Sequence, residues 1–228
     1  MLYVVRDLEG MNHESETASS PDQTPGEQWI REAPASLKQT RWGLNLVVYG
    51  SALVFFAAVG VLYFLFGTEM QSLVMNVLPV MGFSGNLMIL VGSIFCLSVP
   101  EQTRARRLLL GAVAGFGCKL IFSGSVFFDP GILGLPLALF LKLAGNIGLI
   151  LFALALRKLL LYVNRPEQMF KVYCLLGSTV MFLMGSWCME LVADLELVEF
   201  NLIAIYSVML VGLFLYPCFA GSLKKALR

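Results

Sequence analysis

The sequence predicts an all-α fold: a polytopic membrane protein whose bundle of six transmembrane helices forms three antiparallel hairpins, both termini cytoplasmic. Three observations predict it. The chain is 58% hydrophobic and only 14% charged, whereas a soluble domain carries about 25% charge. Its apolar residues gather into six stretches of about 20, the length a helix needs to cross the hydrocarbon of a bilayer. Twelve of its sixteen Lys and Arg residues flank those stretches on one side, and such an asymmetry sets the orientation of membrane helices.

Residues 1–43 are expected to form a disordered cytoplasmic tail, because Glu, Ser, Thr and three prolines (Pro21, Pro25, Pro34) leave little to bury. Trp29 and Ile30 read as loose apolar residues within it. The four apolar residues 2–5 are too few for a signal-peptide core, and Met11 reads as an alternative start.

The predicted spans are 44–66, 77–99, 108–128, 133–156, 172–192 and 202–223, followed by a short basic C-terminus at 224–228. The odd-to-even connections contain no Lys or Arg and are bordered by Glu69, Asp129, Glu190, Asp194, Glu196 and Glu199. The opposite side receives Lys38 and Arg41, then Arg104, Arg106 and Arg107, then Arg157, Lys158, Arg165 and Lys171, and finally Lys224, Lys225 and Arg228. That side is the cytoplasm by the positive-inside rule, which implies a multi-pass protein of a plasma or bacterial inner membrane. Trp42, Tyr63, Tyr162 and Tyr216 stand near span ends, where an aromatic belt places them.

Within the bundle, Asp129-Pro130-Gly131 is turn chemistry and predicts a tight hairpin of the third and fourth spans. Gly111 and Gly115 on one span and Ala144 and Gly148 on the other are small-residue pairs that let helix backbones approach. Pro100-Glu101-Gln102 and Pro166-Glu167-Gln168 precede spans three and five, and Leu109-Leu110-Gly111 then matches Leu175-Leu176-Gly177 at the same offset. Duplication of a hairpin would produce this, and repeats in parallel orientation are a transporter architecture. The ordinary preference for Pro and Glu in a first helical turn produces it too.

The candidate site is a pair of lysines at mid-membrane. Lys119 and Lys142 each lie nine residues from the outer end of their spans, about 13 Å at the α-helical rise. Placing a lysine at a helix centre costs about 2.5–3.5 kcal/mol, so both should face the packed interior. Lys119 extends the stripe of Gly111 and Gly115; Lys142 shares a face with Gly145 and Asn146; Asn86 falls at a comparable depth on the second span. Lys119, Lys142, Asn86 and Asn146 are therefore expected to form a polar pocket for an anionic solute or lipid headgroup. The competing expectation is that the lysines snorkel outward, or pair with Glu190 or Asp129. A third is that they meet acidic residues of a partner subunit, with this chain as a structural or accessory component.

Other chemistry finds little support. Gly82-Phe83-Ser84-Gly85 resembles the serine motif of rhomboid intramembrane proteases, which also have six spans. Those enzymes need a histidine on another span, and the single histidine here, His13, lies outside every apolar stretch. The five cysteines, Cys96, Cys118, Cys174, Cys188 and Cys218, stand singly and read as small packing residues. No cofactor, metal site or catalytic constellation is expected, and a net charge of +1 argues against nucleic acid.

Overall fold

The structure is a computed structural model that describes residues 25–66, 71–128, 134–164 and 169–193, together with residues 211, 214–218 and 221. These residues are all-helical, without a strand. The helices are α1 (Pro25–Glu32), α2 (Pro34–Phe66), α3 (Gln71–Phe95), α4 (Ala105–Phe128), α5 (Leu135–Tyr162) and α6 (Met169–Ala193). Two short 3-10 turns, Cys96–Ser98 and Glu101–Thr103, join α3 to α4.

Four stretches are long and apolar enough to cross a bilayer: Pro34–Val61, Val77–Ser98, Ala105–Ser125 and Pro136–Tyr162. They make the chain compatible with a membrane protein. The stretch of α6 with described side chains, Met169–Met181, is shorter, and the predicted sixth span lies mostly outside the described residues.

Consecutive helices pack on one another, most extensively α2 on α3 and α4 on α5, with α3 on α4 and α5 on α6 less so; the contacts Gly43–Gly92 and Gly50–Gly85, and Gly115–Gly148 and Lys119–Gly145, run those first two pairs antiparallel. This brings the start of α2, the α3–α4 link, the end of α5 and the start of α6 to one end. Lys38, Arg41, Arg104, Arg106, Arg107, Arg157, Lys158 and Lys171 all belong to it; it is called the basic end below. There Arg106 pairs with Glu101, and the Arg157 guanidinium lies 5.8 Å from the centre of the Tyr173 ring.

The α2/α3 hairpin is held by a seam of glycines. A methyl group on Gly43 would lie 2.5 Å from the carbonyl oxygen of Gly92, and one on Gly92 equally close to that of Gly43. Gly50 and Gly85 face each other in the same way, seven residues on in α2 and seven residues back in α3. Val47 and Ile89 fill the intervening positions, Cys96 lies against Gly43 one turn beyond Gly92, and all three are buried. The α4/α5 hairpin repeats the principle with the pairs read from sequence: Gly115 lies against Ala144 and Gly148, and Gly111 against Leu151.

The region expected to be a disordered tail is helical from Pro25 onward, and α2 begins ten residues before the predicted span. The reason is burial at the basic end. Trp29 is 6% exposed and packs edge-on against Tyr162, with ring centres 6.5 Å apart. Its indole N–H donates to Ser36 Oγ (3.2 Å), and Ser36 Oγ donates to the carbonyl of Ser98 (2.5 Å). Thr40, fully buried, donates to the Ser36 carbonyl, and Cys96 donates weakly to the Thr40 carbonyl. Tyr162 is half-buried, and its hydroxyl donates to the exposed Gln102 Oε1 at 3.1 Å. Tyr216 is 5% exposed rather than at an aromatic surface.

The proposed duplication fares unevenly. Pro166, Glu167 and Gln168 lie outside the described residues. Leu109 and Leu175 are both buried, but Gly111 meets Leu151 while Gly177 faces open space.

Candidate functional site

Close packing of α4 on α5 positions the first lysine. A methyl group on Gly145 would sit 2.7 Å from Lys119 Cβ and 3.1 Å from Cγ, so the stem of Lys119 runs through space that only glycine leaves open. Lys119 thus points into the helix–helix seam, as the Gly111/Gly115 stripe implies. Asn146 follows Gly145 directly, and Lys142 lies three residues beyond it toward the end opposite the basic one, a displacement of about 4.5 Å along α5. Both lysines are half-buried.

Asn86 is set by the contact of α3 with α4. Phe83 meets Gly124, where a methyl group would lie 3.4 Å from the ring. From that level Asn86 is three residues and Lys119 five residues toward the basic end, which puts the two within about 3 Å in depth. All four residues therefore occupy one layer roughly a helical turn thick. Lys119, Lys142 and Asn146 share the α4/α5 hairpin, whereas Asn86 belongs to the other neighbour of α4. Of the expected counter-charges, Glu190 falls on α6, its side chain not among those described, and Asp129 lies outside the described residues.

The two asparagines are the unusual members of this layer. Asn86 is 8% exposed and Asn146 4%. Asn86 Oδ1 and Asn146 Nδ2 are buried without a hydrogen-bond partner among the described residues. A buried amide atom left unpaired costs about 1–3 kcal/mol, so native structures hold few. One of these atoms is an acceptor and the other a donor. With two lysines in the same layer, about one helical turn thick, the layer suits a ligand bearing anionic oxygens and at least one hydroxyl or N–H group.

Sequence reasoning missed the glycines at 43, 50, 85 and 92, although their seven-residue spacing on both helices was a visible signal. It also missed the docking of Trp29, for which the local sequence offers no sign. No protein-family model, curated protein or solved structure matches this chain.

Proposed function

We propose that the chain is a six-span, multi-pass membrane protein with both termini in the cytoplasm, which binds or passes an anionic solute or lipid headgroup at Lys119, Lys142, Asn86 and Asn146. The supporting observation is the pair of unpaired, buried amide atoms in the lysine layer. Ionisable side chains at membrane depth are rare, face the bundle interior and commonly line solute or ion pathways, and the asparagines supply the orienting groups such a site requires. Lysine acts here as a compact point charge that suits phosphate or carboxylate without demanding one geometry.

The test is the double substitution Lys119→Met and Lys142→Met, which keeps the stem that packs on Gly145. Purified wild-type protein should gain thermal stability from inorganic phosphate in detergent, or from phosphatidylglycerol in nanodiscs over phosphatidylcholine nanodiscs. The first result marks a free anion and the second a lipid headgroup. The double variant should melt as the unliganded wild type does and respond to neither. If wild type responds to neither, or the variant still responds, the reading is wrong; release of a co-purifying protein by the variant would instead establish the accessory-subunit role.

A further inference from the structure

We infer that α1 is a hinged lid over the junction of the two helical hairpins at the basic end. This inference is independent of the anion site. The junction is a cavity lined by Thr40, Leu44, Cys96, Leu109, Leu156 and Leu159. Its walls come from α2, the turn after α3, α4 and α5, so it is the place where the hairpins meet. The lining residues Leu44, Cys96, Leu109, Leu156 and Leu159 belong to one buried apolar cluster with Leu37, Val163 and Trp29, the last of which belongs to α1.

Three features make α1 a lid rather than an extension of α2. The first is the joint. Ala33 separates the helices and Pro34, which has no backbone N–H, opens α2. Only the bonds from Ala33 N–H to the Trp29 carbonyl (3.0 Å) and from Leu37 N–H to the Ala33 carbonyl (3.1 Å) carry the backbone ladder across it. The second is the seat. Gly26 rests on the backbone at the end of α5, where a methyl group would lie 2.7 Å from Val163 Cα, and Trp29, one turn on, packs on Tyr162. The opposite face carries Gln28, Arg31 and Glu32, all exposed, with Gln28 donating to Glu32 at 3.0 Å. The third is length. Eight residues are too few for a helix to persist in water by itself. Unseating Gly26, the Trp29 indole with its bond to Ser36, and the partly buried Ile30 therefore releases the whole element, leaving the helix–helix seams untouched.

Cys96 reports the state of the lid, because it lines the cavity and is 2% exposed. The experiment uses full-length protein in nanodiscs with Cys118, Cys174, Cys188 and Cys218 replaced by Ser and Cys96 retained, treated with a water-soluble maleimide. Gly26→Leu drives a side chain into the α5 backbone, and Trp29→Ala removes the anchor without adding bulk. Each should speed labelling of Cys96 by at least about tenfold, as expected when a local opening replaces a closed state, while the bundle keeps a cooperative melting transition. Unchanged labelling in both folded variants would show that α1 does not control access. Loss of the folded bundle in Trp29→Ala would show that α1 is an integral part of the core. Either result overturns the lid.

Discussion

Asn146 is the residue at which stability and binding should separate. Its buried Nδ2 has no partner among the described residues, so the folded chain carries the desolvation cost without the compensating bond. Asn146→Leu replaces the amide with an apolar group of similar size. Ligand-free protein is expected to gain about 1–2 kcal/mol from it, while stabilisation by phosphate or phosphatidylglycerol disappears. Thermal unfolding with and without each ligand measures both effects. A clear loss of ligand-free stability would show that the amide supports the fold and would remove its role as a ligand contact. The position of this residue beside Gly145 and one turn from Lys142 was legible in the sequence, since helical rise fixes it. That its amide is unpaired was not legible, because satisfaction depends on neighbours that only tertiary packing supplies.

At the level of elements, both helix pairs bring backbones together at glycines, and α4 and α5 add the fully buried rings of Phe116 and Phe152, 6.0 Å apart. Gly92→Val would put a β-carbon 2.5 Å from the carbonyl of Gly43, where backbone rather than a yielding side chain must move. Overpacking of this kind costs about 1–3 kcal/mol or more. Gly177→Ala in α6 meets nothing within 4 Å and should instead gain about 0.5–1 kcal/mol by removing a helix-interior glycine. Denaturation midpoints of the two variants against wild type test the contrast, and equal midpoints would deny the α2/α3 seam its role. Long apolar helices could be read from sequence because bilayer thickness imposes one length on each. The α4/α5 pairing was legible from its small residues and the short connection. Helix α1 was not, since its two adjacent apolar residues among eight, Trp29 and Ile30, are too few to announce a helix that docks. Its stability comes from Tyr162, a residue far along the chain.

For the whole molecule, helix packing gathers the charge pattern at one end. Eight described Lys and Arg residues collect at the basic end because α2 starts, α3 and α4 meet, α5 finishes and α6 starts there. The opposite end of the α4/α5 hairpin carries Gly134, which is exposed. Retention of cations on the cytoplasmic side would then point Gly134 outward. In a background with Cys118, Cys174, Cys188 and Cys218 replaced, a cysteine substituted at Gly134 should react with an impermeant maleimide in intact cells. Arg104→Cys, exposed at the basic end, should react only after permeabilisation. The reverse pattern would overturn the orientation, and labelling of both from one side would overturn the spanning hairpin itself. The outcome also decides how the two proposed devices relate. Lys119 lies fourteen residues from the start of α4 but nine from its end, roughly 21 Å against 13 Å. With the basic end in the cytoplasm, the anion layer has its shorter path to the outer face, while α1 closes the inner one. Ligand and lid would then act from opposite sides of the membrane, and phosphate added outside should bind whether or not the Cys96 cavity is open.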